Sequence, residues 1–418
     1  MDRILTVAVA GCGSRGQDTY TKVLLTMPDK VKIVAAADID PEKLEGMRRL
    51  TGIGPEACYA SAEEMLSVPR LADVMLICTP DRCHYAEAKE ALLKDYHLLL
   101  EKPIAPEADQ CKELSDLALS RNRKVAVCHV LRYTPFYQKI KQLLDDGTIG
   151  DTVNIQAIES VCYWHQAHSF VRGNWRNAGL SSCMILQKCC HDMDMLLWLT
   201  GKHCRRVSSF GSLTLFKEEN APEGSALRCL DCKVADSCPY NAVKFYLDEF
   251  HRTGDDWPQN IVAFDPTEEK LLQALREGPY GRCVYHCDND VVDHQVVNLE
   301  LEDGSTCNFT MTAFTAHGGR TIRIGGTMGE IYGDMKANTI RVMRYGQEDE
   351  VIDVRKLADD FSGHGGGDAV MVREFVDLVR GEIGVSKTLT SIDRSVESHL
   401  VALAAEESRL KNGQSISL

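Results

Sequence analysis

No apolar stretch in this 418-residue chain reaches the roughly 20 residues that a membrane-spanning helix needs, so neither a span nor a membrane partner is expected. Basic residues are in deficit: 47 Lys and Arg stand against 61 Asp and Glu, giving a net charge of −14. There is no basic stripe of the kind that gathers phosphates along a nucleic acid, which argues against that partner as well. Low-complexity runs are missing, and a composition of 44% hydrophobic and 26% charged residues is that of a folded globular protein. The chain runs into its first apolar stretch at Ile4 with no room for a secretory leader, so the expected location is the cytoplasm. In such a compartment seventeen cysteines are expected as free thiols or metal ligands, not disulfides.

What is present begins at once. Residues 4–10 form an apolar run that breaks into Gly11-Cys12-Gly13-Ser14-Arg15-Gly16 and then into an amphipathic segment, which reads as strand, tight turn and helix. Gly11, Gly13 and Gly16 fit G-x-G-x-x-G: the first permits the turn, the second lets backbone approach a pyrophosphate, and the third lets helix pack on strand. A second apolar run, residues 31–37, ends in Asp38, where a carboxylate accepts hydrogen bonds from the adenosine ribose and repels a 2′-phosphate. Further strands are expected at 72–78, 97–100 and 125–128, alternating with helices at 41–50, 82–94 and 106–120. That alternation implies a parallel sheet covered on both faces. Ligands of such sheets sit at the carboxyl ends of the strands, so Thr79-Pro80, Glu101-Lys102-Pro103 and His129 are expected around one crevice.

Glu101-Lys102-Pro103 at a strand end, after the glycine turn and Thr79-Pro80, resembles the glucose–fructose oxidoreductase / inositol dehydrogenase (Gfo/Idh/MocA) family over most of the chain. The resemblance implies an N-terminal Rossmann-type NAD-binding domain (1–130) and a C-terminal α+β domain with an open, mostly antiparallel sheet (131–418). It implies that helices within 368–412 return to the first domain, and that copies associate through the second-domain sheet. It also adds Ser14, Arg15 and His84 to the cofactor-facing residues. Lys102 and His191 become the acid/base pair for a reacting hydroxyl, and a lysine beside a cationic nicotinamide loses basic strength. In the family's site helix an aspartate stands four residues before the histidine. Gln187 occupies that place here and cannot titrate, so Lys102 and His191 suffice, or Gln187 orients a hydroxyl, or the chemistry departs from simple alcohol oxidation.

From residue 130 the pattern changes to helix at 135–145 and 184–199, and to strands at 153–161, 207–216, 291–300, 306–315, 322–324 and 339–345, with Asp303-Gly304 as a hairpin signal. Arg132, Tyr133, Tyr163, His165 and Arg176 mix aromatic faces with charged donors, which suits a sugar, and are read as substrate-side residues. His364 in a glycine-rich loop is a further candidate, although a turn opening a helix with Asp368 as N-cap reads better. Residues 217–290 are too long for a strand connection and form an insertion. It holds Cys229, Cys232 and Cys238 in a C-x2-C-x5-C run, a candidate structural zinc or iron–sulfur centre set against plain reduced thiols. Three functions stay open: an NAD-dependent oxidoreductase acting on a sugar, polyol or glycoside; a glycoside hydrolase or lyase working by transient oxidation; and a non-catalytic NAD-binding redox sensor.

Overall fold

A computed structural model describes residues 3–254, 257–386 and 388–418. Residues 255–256 of the insertion, residue 387 in the C-terminal part and residues 1–2 lie outside the described residues. Six parallel strands form the first sheet: β1 (Leu5–Ala10), β2 (Val31–Ala37), β3 (Cys58–Tyr59), β4 (Val74–Ile77), β5 (His97–Leu100) and β6 (Val125–Val127). Their order, β3-β2-β1-β4-β5-β6, is that of a doubly wound dinucleotide fold, with a crevice where the order reverses at β1. The central strands are apolar on both faces because helices cover both sides. The helix Pro41–Thr51 shows how local sequence sets these covers: Asp40 caps its start by accepting the Glu42 N–H, Pro41 fits the first turn, and Gly52 at φ +74° ends it.

The second domain is a nine-stranded mixed sheet, mostly antiparallel. Its strands are β7 (Thr152–Ser160), β8 (Cys204–Ser212), β9 (His294–Leu301), β10 (Thr306–Thr312), β11 (Gly319–Gly326), β12 (Gly329–Asp334), β13 (Thr339–Arg344), β14 (Glu350–Asp353) and β15 (Ile416–Ser417). Only β7 and β10 run parallel among the described pairs. Strict alternation in β9 and β10 sends Val297, Leu299, Cys307 and Phe309 into a core shared with the helices Pro135–Asp145 and Cys190–Thr200.

Two sequence expectations are corrected. The strand expected at 207–216 ends at Ser212, because the buried Asp293 carboxylate accepts the N–H groups of Thr214 and Leu215 and turns the chain out of the sheet. The helix expected over 184–199 is two helices, Met184–Gln187 and Cys190–Thr200, broken at Cys189 (φ −106°, ψ 6°).

The C-terminal helices join the halves. Met371, Val372, Phe375 and Val376 of Gly367–Arg380 lie in one core of the first domain. The helix Ile392–Leu410 starts in the first domain's other core with Ile392 and Val396 and ends in the second domain's core with Val401, Ala402 and Ala405. The insertion has a small core of its own built from Cys229, Ala242, Tyr246, Leu275 and Tyr280.

Candidate functional site

The glycine turn is built as its spacing requires. Gly11 sits at φ +87°, and a Cβ on Gly16 would lie 1.9 Å from the Gly11 carbonyl, so helix and strand meet there only because both residues lack side chains. Nothing lies within 4 Å of where a Cβ on Gly13 would stand. That open position at the start of a helix leaves room for a phosphate to approach backbone, and the turn fits a dinucleotide. Asp38 ends β2, and its carboxylate accepts the N–H groups of Cys12 (2.7 Å) and Asp40 (2.9 Å), which fixes it against the turn.

Arg15 anchors this turn to the lysine strand end. Its guanidinium bonds Glu101 (2.7 Å), Asp368 (2.6 Å) and the Tyr20 hydroxyl (2.5 Å), and the same Glu101 oxygen accepts from Tyr20. Burial alone would raise the Glu101 carboxyl, but Arg15 and Lys102 outweigh it and hold the group ionised below its usual range. Lys102 stands beside this knot, half-buried, with its ammonium 2.8 Å from the backbone carbonyl of Gln187 and over the Trp175 ring. The helix break makes this possible: with the α-helical pattern interrupted after Gln187, its carbonyl turns to accept from Lys102.

His191 lies in the first turn of the second helix piece, buried, its Nδ1 without a hydrogen-bond partner. Burial, with Lys102 and His129 nearby, pushes its pKa well down, so the ring is neutral. His129 is fully buried, packs edge-on against His191 (5.5 Å between centroids), and has neither ring nitrogen bonded; burial pushes it down to about 4. The side-chain amide nitrogen of buried Gln187 is also unpartnered. His364 lies 6.3 Å from His191 and bonds Asp368, and the helix after it is capped by Gly366 at φ +91°, not by Asp368. The structure thus brings together Lys102, Gln187, His191, His129 and His364, and leaves several of their polar atoms unpaired.

Other expected residues are engaged inside the protein. His84 is 1% exposed with both ring nitrogens against carbonyl oxygens, of Thr79 (2.8 Å) and Pro103 (2.7 Å), so it ties two loops and has no nitrogen left for a ligand. Arg132 makes a buried bidentate pair with Asp194 (2.7 and 2.5 Å), a contact whose breakage typically costs about 3–5 kcal/mol. Tyr133 is buried against Thr390. Arg176 is bidentate to Asp288 of the insertion. Tyr163 and His165 remain half-buried in an aromatic wall in which Trp164 and Trp257 pack on His165. Ser14 lies half-buried in the first turn after Gly13. Sequence reasoning missed Tyr20 and His399, took Asp368 only for a helix cap, and missed Arg320, which bridges Glu159 and Asp192 next to His191. These partners are far apart in the chain and follow no local pattern.

The expected metal centre is corrected. All seventeen cysteines are free, and among the described residues no three His, Cys, Asp or Glu side chains come together as a metal-ligand group. The Cys229 sulfur instead accepts from Arg172 (3.6 Å) and the Ala242 N–H (3.5 Å), while Cys232 and Cys238 are only partly buried.

Residues 5–129 match the NAD-binding Rossmann domain of the GFO_IDH_MocA oxidoreductase family, and residues 141–413 match that family's C-terminal alpha/beta domain. The chain belongs to the Gfo/Idh/MocA family. Among curated relatives, the putative oxidoreductase YteT of Bacillus subtilis is 22% identical over 88% of this chain and 87% of its own length. Inositol 2-dehydrogenase of Ralstonia nicotianae is 27% identical over 47% of this chain and 55% of its own. Solved structures share the fold. An oxidoreductase of Agrobacterium radiobacter, in complex with NAD+, L-tartaric acid and magnesium, aligns at TM-score 0.70 and 15% identity over 99% of this chain and 98% of its own. The WlbA dehydrogenase of Bordetella pertussis, in complex with NADH and UDP-GlcNAcA, aligns at TM-score 0.70 and 17% identity over 100% and 99%.

Proposed function

We propose that this family member transfers hydride between NAD and the hydroxyl-bearing carbon of a sugar, polyol or glycoside, with Lys102 and His191 as its acid/base pair. The observation that carries the reading is the 2.8 Å contact between the Lys102 ammonium and the Gln187 carbonyl, which sets the strand-end lysine of the cofactor domain against the segment bearing His191. NAD, when bound, accepts or returns the hydride. The glycine turn and Asp38 hold the dinucleotide, and Asp38 disfavours a 2′-phosphate. Lys102 takes or gives the hydroxyl proton, neutral His191 supplies a second acceptor or donor, and Gln187 offers its free amide to a neighbouring hydroxyl. Both groups come from different domains, so domain packing assembles the site. Dehydrogenase relatives named for inositol support a polyol-like substrate.

A second reading is favoured by Gln187. With an amide in place of a carboxylate near His191, the same residues suit transient oxidation of a glycoside, elimination of the aglycone, hydration and return of the hydride. One assay separates the two: purified protein with NAD+ and myo-inositol, free hexoses, hexuronic acids and 4-nitrophenyl glycosides. Net NADH marks the first reading, nitrophenol release without net NADH the second, and cofactor binding without any turnover removes both.

Exposed Ile158 and Phe210 stand in one row with Thr310 and Val296 across four strands of the second sheet, and this face is the proposed surface for a homo-oligomer. Among the described residues no helix is long and apolar enough to cross a membrane, and free thiols suit a reducing compartment, so the cytoplasm is the proposed location.

A further inference from the structure

The turn that presents Lys102 is pinned by a residue nearly three hundred positions away. Pro103 follows Lys102, and the next backbone N–H, that of Ile104, is buried and donates to Nε2 of His399 at 2.9 Å. Because Nε2 accepts, the ring proton sits on Nδ1, which donates to the Ser395 carbonyl one helical turn back at 2.9 Å. His399 is fully buried on the helix Ile392–Leu410, midway between its end in the first domain's core and its end in the second's. Its ring also packs edge-on at 5.4 Å against His129, which packs in turn against His191. Burial, with His129 and Lys102 nearby and Asp194 and the Ser395 carbonyl opposing them, pushes His399 down to about 3, so it stays a neutral acceptor.

We infer that His399 is a positioning residue, which fixes the Lys102-Pro103-Ile104 turn through the Ile104 N–H and backs His191 through His129, so that the domain-bridging helix sets the distance between the two proton-handling groups. This rests on the reading of Lys102 and His191 as the acid/base pair. The ring touches neither reacting group, yet it is the hydrogen-bonded link from the C-terminal helix to the lysine turn. A shift of about 1 Å in a reacting group can cost 10²-fold in rate.

The test uses the full chain carrying His399→Leu, which removes the acceptor, and His399→Gln, whose amide oxygen can reach the place of Nε2. With the best substrate of the panel at saturating NAD+, His399→Leu should lower kcat about 10- to 100-fold while KM and NAD+ affinity stay within about twofold, and His399→Gln should recover most of the loss. Amide exchange of the 102–106 peptide reads the bond without any substrate. It should rise about tenfold or more in His399→Leu and return toward the parent value in His399→Gln. A His399→Leu protein with parental kcat, or with parental exchange at Ile104, overturns the inference, as does a glutamine variant as slow as the leucine one. Lys102→Met in the same assay separates the two claims. If that variant turns over, the reading of Lys102 fails and this inference with it; if it is dead beside an unimpaired His399→Leu, the inference alone fails.

Discussion

The carboxyl edge of the first sheet and the aromatic, cysteine-rich side of the second domain both hold candidate residues, but they use them differently. Around Lys102 the polar groups form a knot anchored to backbone turns, while side chains of His129, His191 and Gln187 keep unpaired atoms. On the insertion side the candidate residues are engaged by the protein itself: Arg176 donates to Asp288, and the Cys229 sulfur accepts from Arg172, which also donates to the Arg282 and Tyr240 carbonyls. A buried polar atom without a partner costs about 1–3 kcal/mol, and single ones occur elsewhere, at Arg228, Asn260 and Asn289 of the insertion among others. Beside Lys102, four fall on three side chains, two of which pack ring to ring, and that grouping is the stronger sign of a ligand. Residue type alone did not separate the two regions.

The sharpest way to break that contrast is Lys102→Met. If Lys102 moves the hydroxyl proton, the variant should keep NAD+ binding and lose about 10²–10⁴-fold in kcat, with His191→Ala losing much of it as well. Gln187→Ala should act mainly on KM, since it removes a positioning hydrogen bond. Turnover of Lys102→Met within a few-fold of the parent would move the search for a base to His129 and His364, which lie in the same group of rings.

Asp38 sharpens the comparison at the cofactor's other end. Its carboxylate is fixed by two backbone N–H groups and cannot swing away from a 2′-phosphate. Asp38→Ala should relieve roughly 1.4–3 kcal/mol of repulsion and so narrow the preference for NAD+ over NADP+ by about ten- to a hundredfold in paired titrations. An unmodified protein that already prefers NADP+ would show that Asp38 does not select the cofactor.

Most of the first domain was legible because its code is local. A glycine at Gly11 or Gly16 is dictated by backbone approach, and alternation of strand and helix places Thr79, Glu101 and His129 at strand ends with no knowledge of side-chain partners. The second domain resisted because its site depends on partners remote in sequence. Nothing near Arg132 announces Asp194, nothing near Ile104 announces His399, and the helix break at Cys189 lies in a segment whose residues all permit helix. The C-x2-C-x5-C run was read from spacing alone, whereas among the described residues no metal-ligand group forms and the Cys229 sulfur is held by an arginine and a backbone N–H remote in sequence.

The smallest expected effect on chemistry belongs to Arg172, the buried centre of the insertion side. Its guanidinium donates to the Arg282 carbonyl (2.7 Å), the Tyr240 carbonyl (2.6 Å) and the Cys229 sulfur, and it accepts from Arg282 through its own carbonyl. Arg172→Met keeps the apolar stem and strips those acceptors, at about 1–3 kcal/mol for each one left unsatisfied in the interior. Because the insertion has its own small core, that loss should be felt there first. Limited proteolysis should cut within 217–290 sooner than in the parent, while kcat at saturating substrate stays within about threefold. A collapse of kcat comparable to that of Lys102→Met, with the insertion no more sensitive to protease, would join the two regions into one site and dissolve the contrast drawn between them.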